Sequence, residues 1–344
     1  MPKNDSQLCN AGIHEFVFGG ELVREAEYLE FWAKLGFVPV LEGELKASQA
    51  QSFYGHHSAL RSIRLQHLGC NSYQTGYVRL QLWTELRNEG LGNGRAIECG
   101  SRWMGMYTHD VLQLHDSFTS AASKQRWNLK VTPVINAPLQ NPPPAVDFDQ
   151  PFVGLRELLV FGNDFRLAFI QRAGFDRPGF GTFDDSLPYK NTEGSHANVV
   201  QPANSFSTEF YKTVFGLDTA PYGDAHDSGD EPPTIAALGL KQGEIFHVER
   251  IKQPNCPSGL IQVYSSYVEG ADNRDLSRPG SRNLCAYSVQ VSDIDELSRR
   301  VSVQGGVINN TSKFDEFGQA ALCFCAPDGY SWLATTMQKE EFDE

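Results

Sequence analysis

Three histidines recur at similar intervals along the chain, at positions 14, 109 and 196. Each is followed by a short run of strand-like sequence, so each is predicted to begin a β-strand. Neutral imidazole is a common metal ligand and a general base near neutral pH. A single histidine in such a position more often packs in the core or forms a hydrogen bond. A metal site is therefore indicated only if the fold brings these histidines together.

Glu157 is the carboxylate best placed for acid–base chemistry. It belongs to a predicted hairpin in which the strand 157–161 turns through Gly162-Asn163-Asp164 into the strand 165–171. A carboxyl group on the inner face of such a hairpin can act as a general base, although exposed carboxylates on edge strands are more common. Another candidate set, His226 with Asp224 and Asp227, lies in the acidic stretch 223–233. That stretch is predicted to be a mobile surface loop.

The positions 14, 109, 196 and 286 begin similar stretches, and they are separated by 95, 87 and 90 residues. A period of this length over the whole chain indicates four copies of one supersecondary unit. In the stretch 195–217 the unit begins as a strand, a turn and a helix, with Phe206, Phe210 and Val214 on one helix face and Gly216 at its end. Three further strands complete it, and the strand 76–86 alternates clearly between apolar and polar residues.

The predicted modules span about 12–86, 103–173, 194–268 and 283–338. They are grouped into an N-terminal half, 8–176, and a C-terminal half, 192–338, with module one paired to module two and module three paired to module four. The proline-rich stretch 138–151 and the acidic stretch 223–233 are predicted to leave the sheets.

The composition excludes several classes of partner. The chain has 344 residues and a formal net charge of −13, from 42 acidic and 29 basic residues, which disfavours nucleic acid and anionic membranes. It lacks an apolar run of the ~18–20 residues needed to span a bilayer, and its polar start does not resemble a signal peptide. Seven scattered cysteines do not suggest a disulfide framework. We expect a cytoplasmic protein that binds a small molecule, and its oligomeric state is left open.

Three segments carry a resemblance to a known group of proteins: STEFYKTVFGLD at 207–218, VSDIDELSRRVSVQGG at 291–306 and APDGYSW at 326–332. They resemble the vicinal oxygen chelate superfamily, which includes glyoxalase I, extradiol dioxygenases and bleomycin resistance proteins. The resemblance implies an α+β fold of four tandem βαβββ modules paired into two cup-shaped halves. It implies little about the reaction, since this fold supports many chemistries.

The resemblance also implies where a metal would bind, because its ligands come from the first and last strands of each module. These positions are His14, Gln81 and His109 in the N-terminal half, where Ala168 leaves the fourth position open. Two imidazoles and one oxygen suit a divalent ion such as Fe, Mn, Ni or Zn. The C-terminal half offers only His196, because its other positions fall on Val263, Ala286 and Leu333, with Gln262 beside Val263.

Three hypotheses about function remain open. The first is an enzyme of this superfamily, a lyase, isomerase or dioxygenase, whose metal in the N-terminal cup stabilises an oxyanion and whose Glu157 serves as general base. The second is a metal-free binding protein of the bleomycin-resistance type, whose ligand lies between Trp83, Tyr107, Phe165 and Tyr264. The third is a structural half docked on a working half.

Overall fold

The computed structural model describes residues 12–69, 75–124, 127–137, 154–172, 183, 186–220, 225–228, 235, 237–254, 256, 258–268, 272–309 and 313–336. The helices are α1 Glu25–Lys34, α2 Ala47–Tyr54, α3 Val111–Ser123, α4 Glu209–Phe215 and α5 Ile294–Val303. The strands of the first two modules are β1 Glu15–Glu21, β2 Phe37–Leu45, β3 Leu60–His67, β4 Tyr77–Trp83, β5 Arg102–Thr108, β6 Lys130–Val131, β7 Ile135–Ala137, β8 Leu155–Phe161 and β9 Arg166–Arg172. Those of the last two are β10 Asn191–Pro202, β11 Asp218–Thr219, β12 Ala225–Ser228, β13 Ile245–Lys252, β14 Leu260–Ser266, β15 Asn283–Val291, β16 Val307–Ile308, β17 Ala321–Cys325 and β18 Ser331–Thr336. None of the helices in these ranges is long and apolar enough to cross a membrane.

The predicted repeat is confirmed by the order of these elements. Each module contains a strand, a helix and then further strands, and in its sheet the first strand lies beside the last, as in β1-β4-β3-β2. The first strands begin at residues 15, 102, 191 and 283, so the period of about 90 residues is correct. The predicted strand after His109 is wrong, because α3 begins at Val111. The carboxylate of Asp110 accepts a hydrogen bond from the Gln113 backbone N at 3.0 Å and so caps that helix.

The modules form two sheets, but they do not pair as expected. The first sheet has the order β16-β17-β18-β15-β1-β4-β3-β2, and the second has the order β11-β13-β14-β10-β5-β9-β8-β6. Module one therefore shares a sheet with module four, and module two shares a sheet with module three. The prediction that modules one and two form one cup is wrong, since each sheet takes one module from each predicted half. The boundaries of those halves remain a prediction.

The two sheets are each joined at their centre by antiparallel first strands. In the first sheet Glu15 lies opposite Ser288, and in the second sheet His196 lies opposite Gly105. One face of each sheet packs, with the helices, into a common core that contains Phe16, Met104 and Tyr287, all fully buried. We call the opposite faces the first cup and the second cup.

Side-chain alternation decides which residues face each cup. On β4, Val78, Leu80 and Leu82 pack into the common core, as their spacing predicted, so Arg79 and Gln81 face the first cup. The acidic stretch does not leave the sheet entirely, because β12 pairs antiparallel with β13. That part of the prediction is wrong. The stretch 138–151 lies outside the described residues.

Candidate functional site

The first cup is filled by charged side chains of the protein itself. Glu15 is fully buried, and its Oε1 accepts a hydrogen bond from Arg64 Nε at 2.6 Å. Its other oxygen, Oε2, lies 2.6 Å from Nη2 of Arg79, which is also fully buried. Nη1 of Arg79 lies 3.3 Å from carboxylate oxygens of both Asp315 and Glu316. We call these five residues the buried ion cluster.

Aromatic side chains cover the buried ion cluster. The hydroxyl group of Tyr54, at the end of α2, donates a hydrogen bond to Glu316 Oε2 at 2.6 Å. The ring of Phe317 lies over both guanidinium groups, 4.6 Å from that of Arg79 and 4.9 Å from that of Arg64. Cation–π contact and loss of water strengthen the charge interactions beneath this cover. The first cup is therefore closed by the protein's own side chains.

The pKa values in the buried ion cluster follow from burial and from the charges within it. Burial alone would raise the pKa of Glu15, but the guanidinium groups of Arg64 and Arg79 outweigh it and hold that pKa well below its usual range. Burial raises the pKa of Asp315 to about 6, because the attraction of Arg79 does not fully offset burial and the repulsion from Glu316. Glu15 thus stays ionised at neutral pH, whereas the pKa of Asp315, about 6, lies close to it.

The residues predicted to hold a metal lie on different sheets. Gln81 faces the first cup, fully buried, with its Oε1 3.9 Å from Sγ of Cys285. His14 precedes β1, and its Nε2 lies 3.4 Å from Nε2 of Gln290. His109 is exposed beyond the end of β5 in the second sheet, where its ring centroid lies 3.8 Å from that of Phe183.

These placements remove the reason for grouping the three residues, which was the pairing of modules one and two. Gln81 shares the first-cup face of β4 with Arg79, whose guanidinium group would repel a metal ion. Across the ranges that the structure describes, no cluster of three or more His, Cys, Asp or Glu residues is arranged to hold a metal. The described residues of the first cup therefore do not fit a divalent metal.

The second cup has a mixed aromatic and polar lining. Its aromatic wall runs across four strands, with the Trp103 ring 5.2 Å from Tyr264 and 6.0 Å from Phe161, and Tyr264 5.9 Å from Phe246. The polar residues that alternate onto the same face are only partly buried: Tyr107, Glu157, Arg250 and Gln262. Unlike the first cup, this face presents partly exposed polar groups beside an apolar wall, which is the character of a ligand site.

Glu157 and Arg250 are the charged pair of the second cup. Burial raises the pKa of the Glu157 carboxyl group, and the guanidinium group of Arg250 opposes that rise. Arg250 lies opposite Gln262, on the other side of the central strands from Glu157. A raised pKa makes the Glu157 carboxylate a stronger base than an exposed carboxylate, and the guanidinium group is suited to an anionic ligand.

His196 also faces the second cup, directly opposite Gly105. A Cβ at Gly105 would lie 1.9 Å from Cε1 of His196, so the imidazole occupies the space that a side chain there would need. The hydroxyl group of Ser195 donates to the Gly105 carbonyl oxygen at 3.0 Å, and the same Oγ lies 2.8 Å from Nδ1 of His196. The Ser195 hydroxyl group therefore fixes the His196 imidazole at its Nδ1 side.

The floor of the second cup is held by Arg166, on β9. Its guanidinium group donates to the backbone oxygens of Gly92, Gly94, Arg95 and Arg102 and to Oγ of Ser101. Burial lowers the pKa of Arg166 to about 9. This network fixes the segment 92–102 beneath the aromatic wall, so the cup has a rigid base.

A metal is poorly matched to the second cup as well. Of the first-strand and last-strand positions there, His196 supplies an imidazole, whereas Gly105 and Ala168 supply no donor atoms. Val263 packs into the common core and Gln262 faces the cup, one residue from the predicted register. One imidazole and one amide do not make a divalent-metal site of the usual kind.

Sequence reasoning found some of these residues and missed others. Glu157, Tyr107 and Tyr264 were candidates and lie in the second cup. Trp83 lies instead in the first cup beside Tyr54, and Phe165 stacks on Phe31 in the common core at 3.6 Å. Arg250 was missed, although its alternation with Phe246 and Val248 on β13 places it on the cup face.

The comparisons with known proteins agree with this architecture. No family model and no curated protein matches the sequence. Among solved structures, a variant of glyoxalase I from Zea mays matches with a TM-score of 0.56 and 12% identity, covering 95% of this chain and 94% of that chain. A candidate dioxygenase from Bacillus subtilis matches with a TM-score of 0.54 and 13% identity, covering 96% of this chain and 86% of that chain. Unmodified glyoxalase I from Zea mays matches with a TM-score of 0.52 and 12% identity, covering 94% of this chain and 92% of that chain.

Identities this low establish the fold, not the reaction. The four βαβββ modules and the two sheets, each joined at its first strands, agree with the architecture that the sequence resemblance implied. The chain therefore has the fold of the vicinal oxygen chelate superfamily, to which glyoxalase, bleomycin resistance and extradiol dioxygenase proteins belong.

Proposed function

We propose that this protein is an enzyme that binds a small organic acid with an apolar or aromatic body in the second cup and moves a proton on it with Glu157. The observation that carries the proposal is the presence of Glu157 and Arg250 on one partly open, aromatic-walled face. The first cup supports no such site, because the buried ion cluster fills it.

Binding is assigned to Arg250 and the aromatic wall. A guanidinium group recognises a carboxylate or phosphate through two parallel hydrogen bonds. Trp103 and Tyr264, with ring centroids 5.2 Å apart and planes tilted by 44°, form the aromatic wall against which the rest of the ligand would lie. A ligand held this way has its charged end at Arg250 and its body over the rings, directed toward the β8 side of the sheet.

Proton transfer is assigned to Glu157. Its raised pKa follows from burial, and only the charge of Arg250 opposes it. An anion bound to Arg250 weakens that opposition, so ligand binding raises the pKa of Glu157 further. The substrate's own charge would thus tune the group that acts on it. No step is written through a metal, because the described donor atoms do not fit one.

The test uses phenylpyruvate, an aromatic acid whose C–H bond beside the carbonyl group can be exchanged. We expect the protein to accelerate deuterium incorporation from D₂O, measured by proton NMR. Glu157→Gln should lower the rate about 10²-fold or more, since general acid–base catalysis contributes that much. Arg250→Met should raise KM with a smaller effect on kcat. The reason is that the guanidinium group would bind the acid in both the ground state and the transition state.

Saturable binding of aromatic acids without any exchange in the unmodified protein would overturn the enzyme proposal. It would favour the second candidate, a binding protein without chemistry, which the aromatic wall of the second cup also supports. Exchange and binding that both survive Arg250→Met and Glu157→Gln unchanged would overturn the assignment of the second cup itself.

A further inference from the structure

A cleft of about 550 Å³ opens between α1 and α3, away from both cups. Its volume lies within the ~300–1,000 Å³ typical of small-molecule sites. The equivalent helices of modules three and four, α4 and α5, pack directly against each other. The cleft is therefore a departure from the repeat, and it is specific to the side of the molecule formed by modules one and two.

Aromatic rings form the floor of the cleft. Phe31, Phe118 and Trp127 are each less than 10% exposed, and their remaining exposed edges line the opening. Phe31 is held in place by a parallel stack on Phe165, with centroids 3.6 Å apart and planes 5° apart. Tyr189 lies nearly parallel to Phe118, at 17° and 6.4 Å. These rings pack against each other from below, so the floor is preformed and suited to a flat aromatic molecule.

The charged side chains at the rim of the cleft differ in whether they already contact a group of opposite charge. Lys34 lies 2.8 Å from Glu30, so these two groups largely satisfy each other. Asp116 lies 3.3 Å from His115 near the start of α3. Lys124, which follows the last residue of α3, lies eight residues beyond Asp116, about 12 Å away at the usual rise per residue. The end of the cleft beside Trp127 thus has a lysine that is not committed to a carboxylate in the described structure.

We propose that this cleft is a second small-molecule site, which takes a planar aromatic anion with its rings on the Phe31, Phe118 and Trp127 floor and its charge at Lys124. The proposal is independent of the second cup, because it involves different elements on a different face of the molecule. It also gives a physical role to the gap between α1 and α3, which direct helix packing would otherwise remove.

The test compares two fluorescent probes of similar shape, 8-anilinonaphthalene-1-sulfonate, an anion, and N-phenyl-1-naphthylamine, which is neutral. Both should bind the native protein saturably. Ala121→Trp places an indole group in the cleft from a partly exposed helix position, and it should weaken both probes at least tenfold. Ser123→Trp, exposed on the same helix and outside the cleft lining, is the matched control and should leave both affinities unchanged.

Lys124→Glu separates charge recognition from apolar contact. It should weaken the anionic probe about five- to tenfold at low salt while leaving the neutral probe within twofold, since the reversal of one nearby charge acts only on the anion. Equal binding of both probes in Ala121→Trp and the native protein would overturn the site. Loss of both probes in Lys124→Glu would overturn the role of the lysine. Glu157→Gln should not change either affinity, so failure of the second-cup proposal remains distinguishable.

Discussion

Replacing Arg79 with methionine tests the buried ion cluster most directly. Methionine keeps an unbranched apolar stem but is shorter than arginine, and it removes the charge that contacts Glu15 at 2.6 Å and both Asp315 and Glu316 at 3.3 Å. Removing one partner of a buried ion pair costs ~3–5 kcal/mol, because the remaining charges stay buried without compensation. Here three carboxylates lose a shared partner, so we expect Arg79→Met to lower the free energy of unfolding at pH 7.5 by about that amount.

The loss should become smaller in mild acid, and this pH dependence distinguishes the ion cluster from simple packing. The pKa of Asp315 is already about 6 in the native protein, above its ordinary value of 3.8, so the folded state holds a proton that the unfolded state has lost between those values. The contribution of this carboxyl group to stability therefore falls as pH rises through that window. Without Arg79 the pKa of Asp315 rises further, so its protonation at pH 5 removes part of the uncompensated charge.

The assay is urea unfolding followed by tryptophan fluorescence at pH 7.5 and pH 5. Glu15→Gln combined with Arg79→Met is the matched control, and the pair should be less destabilised than Arg79→Met alone because one buried anion is also removed. A loss below ~1 kcal/mol at pH 7.5, within the range of exposed ion pairs, would refute the reasoning. So would a loss that is equal at the two pH values.

Three further outcomes are expected. Gly105→Ala should destabilise the protein and disturb the second cup, because the new Cβ would lie 1.9 Å from Cε1 of His196. A variant with the native melting temperature and unchanged His196 NMR shifts would contradict this. The native protein should lose stability below about pH 4.5. In that range Glu15 takes up a proton in the unfolded state, whereas its lowered pKa keeps it charged in the folded state. A urea midpoint that does not fall between pH 5 and pH 3 would argue against this. The predicted metal site at His14, Gln81 and His109 is tested by metal analysis of protein purified without chelator, and we expect EDTA to leave the melting temperature unchanged; a stoichiometric ion lost in His109→Ala would restore that site.

The sequence predicted the modules well because each depends on local patterns. The alternation on β4 was sufficient to place Gln81 on the cup face, and the spacing on α5 was sufficient to predict a helix at 294–303. His109 was misplaced by a local ambiguity, because Leu112 and Leu114 alternate as in a short strand, whereas Val111 and Leu114 have the spacing of one helix face. The Asp110 cap decides in favour of the helix.

Module pairing could not be read in the same way. All four first strands mix apolar and polar residues, and none carries a local signal for its partner, so nothing local specifies whether β1 joins β5 or β15. The wrong module pairing also made the predicted metal site wrong in its grouping. The residues that were expected to meet in one cup, on modules one and two, belong to two different sheets. The buried ion cluster was missed for a related reason. Glu15 and Arg79 are distant in sequence from Asp315 and Glu316, and charged residues at alternating strand positions usually face water.

The joining of module one to module four has a consequence for the protein during its synthesis. The second sheet consists of residues 102–266 and can form before synthesis of the chain is complete. In contrast, β1 cannot pair with β15 until β15 has been synthesised, because Glu15 lies opposite Ser288. At ~5–20 residues per second this delay is roughly 15–55 s. Throughout it, the first module carries an open strand edge, which is a known route to aggregation. The nascent chain therefore carries an unpaired strand edge from the synthesis of β1 until that of β15. We expect its need for chaperones to fall only after module four has been synthesised.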